Sequence, residues 1–281
     1  MILITGATGT VGRQVVAQLR ARGETVRAMT RNPSAAAFPD GVEVVRGDLA
    51  DPAGLGPALR EIRAVFLVWP FTDPDRTAVL APRVIATLAA RGQRIVYLSA
   101  SAADDPASFW ARVEQAIVQS GAPHTILRPT GFAKNTLMWA PQIQSGDVVR
   151  WPYGEAARSL IHEADIAAVA ARALTEAGHD GATYLLSGPA AITQAAQVRA
   201  IGEVLGRRVF WKELPAAEAR AQLIETFGNA AFVDAALPVW ASFIAHPEPV
   251  TATVERVTGR PARSFAQWAA EHAAEFRRSG V

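Results

Sequence analysis

The sequence predicts an α/β fold: a doubly wound parallel sheet followed by a smaller C-terminal lobe. Two observations predict the sheet. Short apolar runs alternate with segments of helical periodicity, and glycines stand where those helices should end. A third predicts the lobe: after Arg128-Pro129 the pattern changes to short β-like pieces among helices. We therefore expect a core over residues 1–130 and, over residues 131–281, a lobe interleaved with the remaining core elements.

The apolar runs and the helical stretches place the elements of the core in order. Strands are expected at Met1–Thr5, Thr25–Thr30, Val42–Val45, Ala64–Val68, Arg94–Leu98 and Thr125–Leu127. Helices are expected at Val11–Arg22, Asp51–Leu59, Asp75–Arg91 and Ala107–Ser120. Gly23, Gly92 and Gly121 stand just beyond three of these helices, as C-cap glycines do.

The rest of the chain mixes short strands and helices. β-like pieces are expected at Asp147–Trp151 and Thr183–Leu186, and helices at Glu163–Glu176 and Thr193–Leu205. The apolar stretch Asn229–Ala245 is interpreted as a buried or pocket-lining helix. A final amphipathic helix carries Phe265, Trp268, His272 and Phe276 on one face, with His272 at its boundary.

Composition excludes several function classes. The 281 residues include no Cys, so disulfides and thiolate chemistry are excluded and a cytoplasmic location is expected. The formal net charge is +2 and the basic residues are scattered, which argues against a nucleic-acid partner. No stretch predicts a membrane span, the five His lack metal-ligand spacing, and no Gly-x-Ser-x-Gly or Gly-Lys-Ser/Thr motif occurs. We expect a small-molecule substrate and no metal; the oligomeric state stays open.

A glycine turn, Thr5-Gly6-Ala7-Thr8-Gly9-Thr10-Val11-Gly12, directly follows the first strand and opens the first helix. Missing side chains let backbone N–H groups approach a pyrophosphate at the positive end of a helix. The pattern therefore predicts a Rossmann-type sheet that binds a nicotinamide dinucleotide. The alternative is an ordinary tight turn between a strand and a helix.

Arg31 indicates which nicotinamide dinucleotide, NAD(H) or NADP(H), is expected to bind. The second strand ends at Thr30-Arg31-Asn32-Pro33, where an NAD-preferring protein would carry a carboxylate for the ribose hydroxyl. A guanidinium instead matches a 2′-phosphate, so NADP(H) is the expected cofactor. The alternative is a solvated loop arginine.

Further cofactor contacts are expected at the ends of the next three strands. Asp48 can reach the adenine amino group while Leu49 packs on the ring; alternatively, Asp48 caps the helix that starts near Asp51. Position in the sheet places Val68, Trp69 and Ser99 beside the ribose and the nicotinamide.

A substrate pocket is expected from the aromatic residues near the lobe. Its predicted lining is Phe71, Trp110, Phe132, Asn135, Trp139 and Trp151. Their rings offer flat surface for a polycyclic or quinone-like ligand, and the Asn135 amide could orient a carbonyl. Ordinary core filling is the alternative for each aromatic residue, and a helix cap is the alternative for Asn135.

The motifs together resemble the NmrA-like branch of the atypical short-chain dehydrogenases. The matching runs are TGATGTVGR, TRNP, GDL, YLSAS, SGAPHTILRPTGFAKN, Tyr153-Gly154 and Asp165-Ile166-Ala167. The resemblance implies NADP binding, with the phosphate loop at Gly6, Thr8, Gly9, Thr10, Val11 and Gly12, the 2′-phosphate site at Arg31 and the adenine site at Asp48-Leu49. Members of the branch include quinone oxidoreductases, other reductases and redox-sensing regulators.

The Tyr-x-x-x-Lys pair of the wider family is absent. The three tyrosines, Tyr97, Tyr153 and Tyr184, have no lysine four positions later. NmrA-like relatives also lack this pair, and its absence leaves the proton donor and other catalytic residues unknown. We expect an NADP(H)-dependent reductase of a flat carbonyl, quinone-like or enone metabolite. The alternatives are a dinucleotide-sensing regulator without turnover and a non-redox isomerase or dehydratase.

Overall fold

A computed structural model describes residues 1–90 and 92–278 and divides them into two compact units. The first unit comprises Met1–Pro129, Glu163–Leu186 and Thr253–Arg260. The second comprises Thr130–His162, Ser187–Ala252 and the described residues from Pro261 onward.

The first unit is built on a seven-stranded sheet in the order β3-β2-β1-β4-β5-β6-β9, and every neighbouring pair is parallel. The strands are β1 (Ile2–Ile4), β2 (Val26–Thr30), β3 (Val42–Arg46), β4 (Ala64–Val68), β5 (Arg94–Leu98), β6 (His124–Pro129) and β9 (Ala182–Leu186). The order reverses between β1 and β4, which is where doubly wound sheets bind ligands at the carboxyl ends of their strands. The predicted Rossmann-type fold is confirmed.

Five α-helices accompany this sheet in the described residues of the unit. They are α1 (Thr10–Ala21), α2 (Pro74–Ala89), α3 (Phe109–Gln119), α5 (Glu163–Thr175) and α9 (Thr253–Thr258). Helix α1 packs on α5, and α2 packs on α3. Gly23, Gly92 and Gly121 follow helices with φ of 79°, 73° and 68°, so the expected C-cap glycines are confirmed. The helix predicted at Asp75–Arg91 extends to Arg91, which lies outside the described residues.

The predicted helix Asp51–Leu59 is wrong. The chain forms only a 3₁₀ turn, Pro52–Leu55, followed by further turns. Asp51 accepts a hydrogen bond from the Gly54 N–H, and Gly54 and Gly56 lower the helical propensity of a segment that already begins with proline. The apolar residues of this segment are buried as the helical periodicity predicts, since Leu55 and Leu59 lie in the core, but turns rather than a helix place them there.

The second unit contains two small sheets and five α-helices in its described residues. Strand β7 (Val148–Trp151) pairs in parallel with β11 (Phe210–Glu213), and β8 (Ala157–Arg158) pairs antiparallel with β10 (Ile192–Thr193). The helices are α4 (Ala140–Ser145), α6 (Gln194–Val204), α7 (Ala216–Phe227), α8 (Ala230–Ala245) and α10 (Phe265–Glu271). A 3₁₀ helix, Ala133–Trp139, precedes α4.

Two helices of this unit can be compared with the predictions. Helix α8 has only Val233 and Leu237 buried, while Val239 is 53% exposed, so it is not a buried helix. The alternative, a pocket-lining helix, is confirmed, because Phe232 and Trp240 line a cavity.

The last helix carries Phe265 and Trp268 in the core as expected. It ends at Glu271, and a separate 3₁₀ helix, Ala273–Phe276, follows it.

No helix among the described residues combines the length and the apolar character that crossing a membrane requires. Within residues 1–90 and 92–278, no cluster of three or more metal-ligating side chains is found.

Gly12→Ala is expected to destabilise the first unit. A Cβ at this position would lie 2.2 Å from the Gly6 carbonyl oxygen, so the loop or α1 must move. Overpacking of this kind lowers the free energy of unfolding by about 1–3 kcal/mol. Thermal denaturation measures the loss. Gly56→Ala is the control, because its added Cβ meets no atom within 4 Å at a φ of −49°. Equal midpoints for both variants would contradict the packing argument.

Candidate functional site

The glycine turn is packed too tightly for side chains at two of its positions. Gly6 has a φ of +57°, and a Cβ there would lie 2.8 Å from the Val68 Cβ. The Gly9 N–H donates to the Gly6 carbonyl at 2.9 Å, and Gly12 rests against the same carbonyl. The turn therefore brings the start of α1 close to the ends of β1 and β4.

The N-terminus of α1 is open to a ligand. Its N-cap, Gly9, supplies no side-chain hydrogen bond, and Thr8 and Gly9 are exposed. The first N–H groups of any helix lack intrahelical partners, so those of Thr10, Val11 and Gly12 are free for an anion. Val11 offers only its backbone, because its side chain is buried.

Arg13 contacts the glycine turn through its side chain, and this residue was not predicted from the sequence. Its Nε donates to the Thr8 carbonyl at 2.9 Å, and its Nη1 donates to the Ala37 carbonyl at 3.3 Å. Its guanidinium also lies 5.9 Å from the centre of the Phe38 ring. One side chain thus ties the glycine turn to the segment that follows β2.

Two arginines line a cavity of about 300 Å³ at the ends of β2 and β3. The parallel register places Arg46 beside Thr30, and Arg31 follows Thr30 directly. Both side chains are exposed, and neither makes a side-chain hydrogen bond or an ion pair with any described residue. Arg46 was not predicted; the signal was its position as the last residue of the neighbouring strand.

Asp48 and Leu49 lie at the same strand ends. Asp48 lines the cavity, and its carboxylate accepts the Ala50 N–H at 2.9 Å. The cap at Gly54 comes from Asp51, so the interpretation of Asp48 as that cap is wrong. Leu49 is buried in the apolar core, which leaves little of its side chain for a ligand.

The residues at the ends of β4 and β5 are held by protein contacts. Val68 packs on Gly6, and the Trp69 indole N–H donates to the Thr77 hydroxyl at 3.1 Å. Ser99 is buried and donates its hydroxyl to Glu114 at 2.5 Å. These side chains shape the end of the sheet, and their contact with a cofactor stays a prediction.

Glu114 also binds Arg128 through two hydrogen bonds of 2.9 and 2.6 Å. These bonds raise the pKa of the Arg128 guanidinium. Burial raises the pKa of the neighbouring Tyr97 phenol far above its ordinary value, and the Glu114 carboxylate adds to this shift. Tyr97 therefore stays protonated, and its position in the core makes it a structural residue rather than a proton donor.

The second unit contains a separate cavity of about 200 Å³. Three of the predicted pocket residues line it: Asn135, Trp139 and Trp151. Sequence reasoning missed the others that matter here, namely Phe232, Trp240, Arg158, Gln194 and Gln197. The missed aromatic pair had a helical signal, since an eight-residue spacing puts both on one face of α8.

The other three predicted pocket residues do not line this cavity. Phe71 and Trp110 belong to the first unit and pack against its core, where the Arg76 guanidinium lies 4.2 Å from the centre of the Phe71 ring. Phe132 forms a backbone bridge with Ile161.

The indoles of the cavity pack edge to face and at a tilt. Trp139 meets Trp151 with ring centres 6.4 Å apart at 75°, and Trp151 meets Trp240 at 6.4 Å and 31°. An apolar cavity of roughly 150 Å³ holds benzene, so this one has room for a single ring and its substituents.

Comparison with known proteins places the chain in a family. A family model described as NAD(P)H-binding matches residues 6–177. A relative from Streptomyces griseus, named (4-alkanoyl-5-oxo-2,5-dihydrofuran-3-yl)methyl phosphate reductase, is 42% identical and aligns with 98% of this chain and 99% of its own length. The chain belongs to the NmrA-like branch of the atypical short-chain dehydrogenases.

Two further similarities agree with this membership. The NAD(P)H azoreductase of Xenophilus azovorans is 34% identical over 98% of this chain and 99% of its own length. The NADPH-dependent quinone oxidoreductase of Escherichia coli, solved in complex with NADPH, superposes with a TM-score of 0.81 at 28% identity over 97% of this chain and 99% of that one. The protein is an NADPH-dependent reductase, and NADP(H) is its cofactor.

Arg31→Ala and Arg46→Ala are each expected to weaken NADPH binding by roughly 10-fold or more, because each would remove a charge-assisted hydrogen bond that we predict to the 2′-phosphate. NADH, which lacks that phosphate, should lose much less affinity. Calorimetric titration of both cofactors measures the two losses. Arg83→Ala, an exposed change on α2, is the control. Equal losses for NADPH and NADH would contradict the assignment.

Gly9→Val is expected to abolish binding of both cofactors while the protein stays folded. The Gly9 backbone is extended, with a φ of −80°, and a Cβ there meets only the Gly6 oxygen, at 3.2 Å. A branched side chain suits this backbone conformation after a small shift at the Gly6 oxygen, and it obstructs the approach of a pyrophosphate. Circular dichroism checks folding and calorimetry checks binding. Wild-type affinity in the folded variant would overturn the role of the turn.

Proposed function

We propose that the protein reduces a planar, conjugated small molecule, namely a flat carbonyl, quinone-like or enone compound, and that the aromatic cavity of the second unit binds this acceptor. The observation that carries the proposal is the lining of that cavity. Its indole and phenyl rings lie beside the side chains of Asn135, Gln194 and Arg158. Flat apolar surface with a few polar groups is what a conjugated carbonyl compound requires.

The relatives support this class of acceptor. Their names specify a furanone phosphate, an azo compound and a quinone, which share a conjugated, electron-poor double bond. Hydride addition to such a bond leaves the negative charge delocalised, so the demand for a tuned acid is lower than for a simple ketone. The missing Tyr-x-x-x-Lys pair and the buried Tyr97 fit that chemistry.

The residues of the first unit are assigned to the cofactor. Gly6, Gly9 and Gly12 allow the pyrophosphate to approach, and the N–H groups of Thr8, Thr10 and Val11 complete its site. Arg31 and Arg46 hold the 2′-phosphate, and Asp48 contacts the adenine. Leu49, Val68, Trp69 and Ser99 support these contacts from the neighbouring strand ends. When bound, NADPH supplies a hydride and is left as NADP⁺.

Trp240→Leu is expected to raise KM for the acceptor by roughly 10-fold and to leave NADPH affinity unchanged, because it removes one aromatic wall of the cavity. Absorbance of NADPH is followed with a panel of quinones, unsaturated lactones and azo compounds. Phe210→Leu is the matched control, since Phe210 is 54% exposed and does not line this cavity.

The same panel tests the function itself. Oxidation of NADPH that depends on one of these acceptors supports the proposal. Tight NADPH binding without turnover on any of them would overturn it and favour a dinucleotide sensor. Turnover that is indifferent to Trp240→Leu would place the acceptor elsewhere.

A further inference from the structure

Arg158 is the only charged side chain among the described residues that line the aromatic cavity. It belongs to the short strand β8, and its side chain is 22% exposed. Its Nε and Nη2 atoms are bound to Glu248, but its Nη1 makes no hydrogen bond with any described residue. The guanidinium of this cavity-lining residue is therefore fixed on one side and keeps one amino group without a protein partner.

Glu248 fixes this guanidinium from below the surface. It accepts from Arg158 Nε at 3.1 Å and from Nη2 at 3.0 Å. The backbone N–H groups of Ser159 and Gly131 donate to the same carboxylate at 3.0 and 3.3 Å. Its side chain is only 4% exposed, so the carboxylate has four donors and almost no water.

Two neighbouring residues confine the Arg158 guanidinium. A Cβ on Gly131 would lie 2.4 Å from Arg158 Nη2, so only glycine leaves room there. On α8, the centre of the Phe243 ring lies 4.6 Å from the Arg158 Cζ. The fork is therefore confined by a bidentate partner, a glycine and an aromatic ring, which reduces the rotamer freedom that a flexible arginine would have.

The ion pair between Arg158 and Glu248 does more than link β8 to the segment that follows α8. The ion pair neutralises the charge of Arg158, so the cavity does not select anions by net charge. A preorganised donor in a cavity lined mainly by apolar side chains instead stabilises charge that develops on a bound neutral molecule. Removing one such donor from an enzyme typically costs roughly 10²–10³ in rate.

We infer that Arg158 is a catalytic residue that binds the carbonyl oxygen of an enone acceptor through Nη1, and that Glu248 is its positioning residue. The inference rests on the proposed function. Hydride addition forms a C–H bond at the β-carbon and breaks the C=C π bond. The pair of that bond forms a new double bond from the α-carbon to the carbonyl carbon, and the C=O π pair moves onto the oxygen. Arg158 stabilises the resulting enolate, which then takes a proton from water at the α-carbon.

The inference predicts a difference between two acceptors. An enolate from an unsaturated lactone has little stabilisation of its own, whereas the hydroquinone anion formed from a quinone is aromatic. Loss of Arg158 should therefore slow reduction of the lactone far more than reduction of the quinone. A residue with only a structural role would affect both acceptors alike.

The test uses a charge-neutral double variant, Arg158→Gln with Glu248→Gln, so that neither buried charge is left unpaired. Single-turnover reduction of but-2-enolide, an unsaturated lactone that carries no acyl group, and of methyl-p-benzoquinone is followed with NADPH bound, and tryptophan fluorescence measures acceptor binding with NADP⁺ bound. Arg158→Lys is the second variant, because it keeps the charge but loses the fork. Arg220→Gln with Asp234→Asn removes an ion pair whose side chains are 50% exposed, and it serves as the control.

The double variant is expected to lose roughly 100-fold in the rate of butenolide reduction and less than about 10-fold in that of methyl-p-benzoquinone, with acceptor binding changed by less than about 10-fold. If the double variant does not fold, Arg158→Lys must show the same selective loss. Equal losses for both acceptors, or none, would overturn the role of Arg158 while leaving the proposed function intact. Absence of turnover by the wild type, or indifference to Trp240→Leu, would overturn both.

Discussion

The crowding of the glycine turn against the ends of β1 and β4 is the constraint on which the first unit depends. The Gly6 carbonyl receives the Gly9 N–H at 2.9 Å and has Gly12 packed directly on it, while Gly6 itself packs on Val68. Because no side chain intervenes, α1 starts at the point where the strand order reverses. Its unpaired N–H groups are thereby directed to the place where the sheet leaves room for a ligand.

Some of the residues that we assign to the cofactor lie in one short segment of the chain, and others are brought together only by the sheet. Cofactor roles for Arg31 and the glycine turn could be predicted from the sequence, since each lies in a short motif of consecutive residues, and these roles stay predictions. Arg46 was not predicted, because its relation to Arg31 arises from the parallel register that sets it beside Thr30. Arg13 was missed for a similar reason: its carbonyl partners at Thr8 and Ala37 come together only when the loop after β2 folds back.

The fold was predicted more completely than the second cavity. Apolar alternation and C-cap glycines are local signals, and they were sufficient for the strands and helices of the sheet. The error at Asp51–Leu59 came from weighting periodicity above Pro52 and Gly54, which favour turns. In the cavity, Trp139 and Trp151 were predicted from residue type, whereas Arg158 depends on Glu248, ninety positions further along the chain. No single-sequence pattern reports such a pairing.

Helix α8 gives the cavity an adaptable wall. Phe232 and Trp240 line the cavity, yet most residues of the helix are exposed, and only Val233 and Leu237 are buried. Just beyond its C-terminal end, Glu248 fastens the chain to β8. The exposed residues of α8 can therefore be exchanged at small cost in stability, whereas Glu248 cannot. Evolution could alter the range of acceptors by changing Phe232 and Trp240 while Phe243 is kept, without disturbing the donor that we assign to their common carbonyl.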